Sequence, residues 1–173
     1  MKIRVLFLMA LVAGCIGCAT APCPAPAPDT TAQDQAAIKS LEDKVAVAFN
    51  AKDTNAMMSL YVPDQSLIVF DATMPLQYTG AAAYTRDWND FWTIYPGPTK
   101  FDISDLDITV GGNVAYSHSI QHVTMTDKKG KKMEMTVRVT DGYKKINGQW
   151  LISHEHVSVP MDFTTMKPAI NSK

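Results

Sequence analysis

Asn147-Gly148 separates two long runs, residues 133–146 and 149–159, in which apolar and polar side chains alternate. Both positions of a two-residue hairpin loop need a left-handed backbone, which Asn and Gly adopt at little cost, so the pair fixes a tight antiparallel hairpin. Upstream, Gly111-Gly112 and residues 128–131 punctuate two further runs, residues 101–110 and 114–126. Along the first, Phe101, Ile103, Leu106 and Ile108 alternate with a slip of phase near Asp105, which predicts a β-bulge. Four long strands joined by short turns form an antiparallel meander. Strands twist, so such a sheet curls, and its concave face needs a cover.

The residues before the meander supply that cover. Ile38, Leu41, Val45, Ala48 and Phe49 recur at three- and four-residue steps from Thr31 onward, one apolar stripe of a helix. Asp34 lies near its start, where an acidic side chain suits the unpaired N–H groups. Residues 50–53 break it, and Thr54 is placed to cap a short second helix through Tyr61, which Pro63 stops. Residues 66–70 read as a strand from their β-branched and aromatic content. Gly80 opens a third helix over residues 81–95, with Tyr84, Trp88, Phe91 and Trp92 on one side, ended by Pro96-Gly97-Pro98. Helices segregated from an antiparallel sheet define an α+β fold, here a cone-shaped curved sheet against about three N-terminal helices.

The first residues read as an address. Lys2 and Arg4 precede a short apolar run, residues 5–13, too short for the roughly 20 residues that span a bilayer. Leu11-Val12-Ala13-Gly14-Cys15 resembles a bacterial lipobox, in which cleavage leaves Cys15 as the lipid-bearing N-terminus. An ordinary signal cut after Ala21 is the alternative, although Pro22 would then follow the cut. The expected organisation is a signal peptide over residues 1–14, a lipidated Pro/Ala tether over 15–32, one domain over 33–162 and a tail over 163–173. Lipidation implies export to the periplasmic side of an outer membrane, with soluble periplasmic or secreted protein as the alternative. All three cysteines, Cys15, Cys18 and Cys23, precede the domain, so it holds no disulfide, thiol nucleophile or zinc–thiolate site. A net charge of -1 and a single lysine cluster, Lys128, Lys129, Lys131 and Lys132 around Gly130, exclude nucleic acid as a partner and read as a solvated hairpin tip.

Pairing across Asn147-Gly148 sets Ile146 opposite Gln149, Tyr143 opposite Ile152, Asp141 opposite His154 and Val139 opposite His156. Cross-strand partners share a face. Trp150, Ile152, His154, His156, Tyr143 and Val139 then form the more apolar face, which is assigned to the concavity. An imidazole titrates near neutrality and suits acid/base work, so His154 and His156 are candidate catalytic residues, with satisfied structural histidines as the plainer alternative. His156→Ala is then expected to keep the fold and alter ligand binding. Metal binding by His154, His156 and His118 is the weaker option, because Glu155 points the other way. Asp71, where a strand meets a loop near the mouth, is a candidate base or a turn aspartate. Arg138, on the opposite face by the same parity, is a candidate for binding a ligand carboxylate unless it faces solvent or a dimer partner. Tyr116 and His118 share a face of their strand and are expected to line the wall, as is Trp88. No cofactor or metal is called for.

Arg138-Val139-Thr140 with the segment Gly148-x-Trp150-x-Ile152-x-His154-x-His156-x-Ser158-x-Pro160 resembles the closing hairpin of SnoaL-like domains, members of the nuclear transport factor 2-like superfamily. Val69-Phe70-Asp71 through Gly80, with Trp88 and Phe91, resembles the family's middle, so the likeness runs over about residues 34–160. It implies a pocket inside the cone and a homodimer built through the outer sheet face. The superfamily includes ketosteroid isomerases, polyketide cyclases, dehydratases and the association domain of calcium/calmodulin-dependent kinase, so fold leaves function open. Thr140 falls about where the isomerases' second aspartate is expected, which argues against steroid isomerase chemistry. Three functions stand open. The first is a small, partly apolar and optionally acidic ligand bound without turnover. The second is an isomerase, dehydratase or cyclase moving a proton through a pocket histidine. The third is a non-catalytic oligomerisation module.

Overall fold

The structure is a computed structural model and describes residues 30–170. The expected signal peptide, Cys15 and most of the expected tether lie outside the described residues. Helix α1 (Thr31–Ala51) ends where Lys52 turns left-handed at φ 54°. Helix α2 (Thr54–Met58) is capped by Asp53, whose carboxylate accepts from the Ala56 N–H, and not by Thr54. The aspartate has the extended backbone that a cap requires, whereas Thr54 is already helical. Strand β1 (Ile68–Phe70) and the two-residue β2 (Tyr78–Thr79) precede α3 (Ala81–Ile94). The meander follows: β3 (Lys100–Gly111), β4 (Val114–Thr126), β5 (Lys132–Ile146) and β6 (Gln149–Ser158). A small hairpin, β7 (Met161–Asp162) with β8 (Lys167–Pro168), closes the chain, and the Thr136 N–H donates to Ile170 O, docking the tail beside β5.

The main sheet has the order β2-β1-β6-β5-β4-β3 and is antiparallel except for β1, which runs parallel to β6. That parallel pair was not expected from the turn pattern, because its two strands lie far apart in the chain. Asn147 and Gly148 adopt φ 51° and 82°, the hairpin their sequence demands. The slip near Asp105 is a bulge: pairing with β4 breaks between Ser104 and Asp107, and Asp105 sits at φ 52°. Helix α1 lays Ile38, Leu41, Val45, Ala48 and Phe49 against Phe101, Val123, Met125, Tyr143, Trp150 and Ile152 of the concave face. Each buried Val, Leu, Ile, Phe or Met side chain among them contributes about 1.5–3 kcal/mol.

Two polar anchors fix the cover. Asp34 accepts from Lys145 Nζ (2.6 Å), Trp150 Nε1 (3.0 Å) and Thr30 Oγ1 (2.6 Å), which ties the start of α1 to the closing hairpin. Those bonds, the Lys145 one foremost, hold its carboxyl down at about 2. At the other end of α1, Lys52 Nζ donates to Tyr95 O (3.1 Å), Pro96 O (2.7 Å) and Gly97 O, which fixes the loop after α3. Gly97 also donates its N–H to Thr126 O. A Cβ at Gly97 would stand 2.7 Å from Thr126 Cβ and 2.9 Å from Thr126 O. Gly97→Ala is therefore expected to cost about 1–3 kcal/mol in urea denaturation; an unchanged midpoint would show that this loop repacks freely.

Candidate functional site

The hairpin β5–β6 carries a second bulge. Pairing runs Ile146↔Gln149 and Tyr143↔Ile152, then jumps to Gly142↔His154, Asp141↔Glu155, Thr140↔His156 and Val139↔Val157. Ser153 is the extra residue, and its hydroxyl donates to Gly142 O (3.0 Å). Gly142, without a side chain, lets His154 approach: a Cβ there would meet His154 Cβ at 3.4 Å. Because side chains alternate strictly along a strand, one inserted residue exchanges the faces of everything beyond it. Trp150 and Ile152 point inward as expected, but beyond Ser153 it is Glu155 and Val157 that face the concavity.

This overturns the expected placement of His154 and His156. His154 lies on the outer face, its Nδ1 bonded to Ile68 O (2.9 Å), and His156 is exposed there. Both rings stand edge-on to Phe70, at 5.0 Å and 5.7 Å between centroids. Asp141 faces Glu155 rather than His154. Arg138 is also exposed on the outer face, as are Tyr116 and His118, which alternate with the buried Ser117 and so cannot line the wall. Asp71 and Trp88 do line the cavity. Asp71 is half-buried near its mouth, where it also accepts from the Thr73 N–H (3.2 Å), and burial raises its carboxyl.

The cavity has a volume of about 470 Å³. One wall is the aromatic face of α3, with Tyr84, Trp88, Phe91 and, just beyond the helix, Tyr95. The opposite wall is β4 and β5, with Val123, Met125, Met133, Met135 and Val137. At its base stands Glu155. Tyr61 Oη donates to Glu155 Oε2 (2.6 Å) and Tyr84 Oη to Oε1 (2.7 Å). Tyr84 comes from the first turn of α3. Tyr61 comes from the segment after α2, which joins the edge of β6 through Val62 N–H to Ile152 O and Ile152 N–H to Leu60 O. Beside them Tyr143 Oη donates to Glu42 Oε1 (2.7 Å) and shares a 2.7 Å bond with Ser117 Oγ. Asp141 is 1% exposed, and its Oδ1 has no hydrogen-bond partner.

Three carboxyl groups thus share one buried region, and no cation is bonded to any of them among the described residues. Burial dominates their titration. It raises Glu155, against the pull of both tyrosine hydroxyls, and raises Asp141 well above the carboxylate range, where Glu42 and Glu155 push it further. It lifts Glu42 to about 7, against the bond from Tyr143. Burial also pushes the Tyr61 and Tyr84 phenols up, which keeps them protonated as donors. Neither Glu155 nor Glu42 was singled out in the sequence, since parity without the bulge turns Glu155 outward and Glu42 looks like one more charge on a helix. The available signal was Gly142 in the middle of a strand, where a glycine often marks a bulge.

The sequence profile of the SnoaL-like domain matches residues 38–162. The chain belongs to the SnoaL-like domain family. This SnoaL-like domain is similar to an NTF2-like protein of unknown function from Pseudomonas putida, with 27% identity over 83% of this chain and 98% of that one, at a TM-score of 0.74. Its fold is shared by a proposed scytalone dehydratase from Novosphingobium aromaticivorans, at 17% identity, 82% and 97% coverage and a TM-score of 0.68. It is shared too by a proposed NTF2-like dehydratase from Streptomyces avermitilis, at 14% identity, 75% and 97% coverage and a TM-score of 0.66. No curated protein matches the chain.

Two outcomes follow for this SnoaL-like domain. Glu42 binds its proton more tightly folded than unfolded, so its contribution to stability is complete below pH 4.5 and is lost as pH rises through about 7. Urea denaturation is expected to show stability falling by up to about 3 kcal/mol from pH 5 to pH 8, with Glu42→Gln flattening that slope. An unaltered slope would place the titration elsewhere. His156→Ala, on the outer face, is now expected to leave binding of an apolar dye in the cavity unchanged; weaker binding would return the histidine to the site.

Proposed function

We propose that the domain binds a small, largely apolar molecule in its cone pocket. The observation that carries this reading is an aromatic- and methionine-walled cavity of about 470 Å³ with a few polar groups, Glu42 and Glu155 at its base and Asp71, Asp87 and Asp90 toward its mouth. Sites for small organic ligands typically measure some 300–1,000 Å³ and combine apolar walls with a few placed polar groups. The option of an acidic ligand rested on Arg138, and its exposure on the outer face removes that support. The test is a neutral fluorophore such as Nile red. Wild-type protein is expected to bind it, and Met135→Trp, which fills the cavity from β5, to weaken binding at least about tenfold. Equal binding by the variant would place the dye outside the cone.

A second reading, proton transfer to or from the bound molecule, is favoured by Glu155. Its carboxyl is raised by burial and lies between two tyrosine hydroxyls, so it is a candidate acid/base group in place of the histidines. The dehydratase proposals made for two proteins of the same fold are in keeping with it.

Export is part of the proposal, with Cys15 as the lipid-bearing residue of a tether that holds the domain at a membrane. Cys15→Ser is expected to abolish incorporation of labelled palmitate and move the protein to the soluble fraction; continued labelling would contradict the assignment. Self-association through the outer sheet face is proposed on the half-exposed Tyr116 (51%) and Phe70 (37%) that it presents.

A further inference from the structure

The charged groups that line the cavity all carry one sign. Glu42 and Glu155 stand at the base, Asp71, Asp87 and Asp90 toward the mouth, and no Lys, Arg or His is among the lining residues. Asp141 adds a further carboxyl on the concave face, directly opposite Glu155 in the β5–β6 register, 99% buried by its 1% exposure, with Oδ1 unpartnered. Ordinarily a buried carboxylate is matched by a buried cation, because an uncompensated charge in a dry interior is costly. The lysines that pair with acids in the described residues are committed elsewhere: Lys39 to Asp43, Lys100 to Asp102 and Lys145 to Asp34. Burial raises the carboxyls of Glu42, Asp141 and Glu155, the direction in which a buried acid without a cationic partner moves.

Resting on the pocket reading above, we infer that the ligand is an amine, with an apolar skeleton packed on Trp88 and Phe91 and one ammonium group at the base against Glu155. Each Glu155 oxygen accepts one tyrosine hydroxyl and keeps a second lone pair. An ammonium there forms a charge-assisted hydrogen bond in a low-dielectric setting, where such bonds are strongest. The exposed Asp90 and half-buried Asp87 at the mouth are screened by water, so they draw a cation inward without holding it. A ligand carboxylate meets the reverse: like charge along the path and at the base.

The test compares three probes of one shape on the wild-type protein by titration calorimetry: 2-naphthylmethylamine, 2-naphthylmethanol and 2-naphthoate. The amine is expected to bind about tenfold more tightly than the alcohol, and the carboxylate most weakly. Glu155→Gln is expected to remove the preference for the amine and leave the alcohol nearly unaffected. If that variant does not fold, the wild-type comparison decides alone. An alcohol that binds as tightly as the amine overturns the charge inference and leaves the apolar pocket standing. Absence of binding by all three overturns both.

Discussion

The position of Glu155 governs the arrangement of this domain. Its two carboxyl oxygens accept hydroxyls from Tyr61 and Tyr84, so one side chain of the last long strand holds the segment after α2 and the first turn of α3 against the sheet. It reaches the interior only because Ser153 is an unpaired residue in β6. Burying a carboxyl is costly unless it is hydrogen-bonded, and the two phenols supply what water would otherwise give. With Glu155 turned outward, two fully buried tyrosine hydroxyls would lose their acceptor. The bulge and the two tyrosines therefore require one another.

The same turn of the strand separates two chemistries onto two faces. Inside are carboxyls and phenols beneath an aromatic and methionine wall. Outside are all four histidines of the chain, His118, His122, His154 and His156, together with Arg138. A pocket so divided has acid groups able to hold or pass a proton and no imidazole to relay it. Dehydration, isomerisation and simple retention of a ligand all remain chemically accessible to such a base, in keeping with the range of functions this fold supports.

Much of the fold was legible in the sequence, because its signals are local. Asn147-Gly148 requires a positive φ at both positions, the stripe from Ile38 to Phe49 has one period, and the break of alternation at Asp105 marks a bulge wherever the strand is paired. Asp71 near the mouth and Trp88 on the wall are expectations of the same local kind, drawn from a strand end and a helix face. The second bulge escaped because Ser153 interrupts no pattern: Ile152, His154 and His156 alternate cleanly across it with Trp150. What decides the register there is non-local, namely Tyr61 and Tyr84 waiting for an acceptor some 94 and 71 residues away in the chain. The parallel pairing of β1 with β6 was hidden for the same reason.

The most direct measurement is a cysteine scan of β6 in a chain whose Cys15, Cys18 and Cys23 are replaced by serine. Single cysteines at positions 154, 155 and 156 would be timed against a charged, membrane-impermeant maleimide in the folded protein. The cysteine at 156 should react fastest, with that at 155 slow until the protein is unfolded. Rapid labelling at 155 with protection at 154 and 156 would contradict the bulge and return the histidines to the pocket.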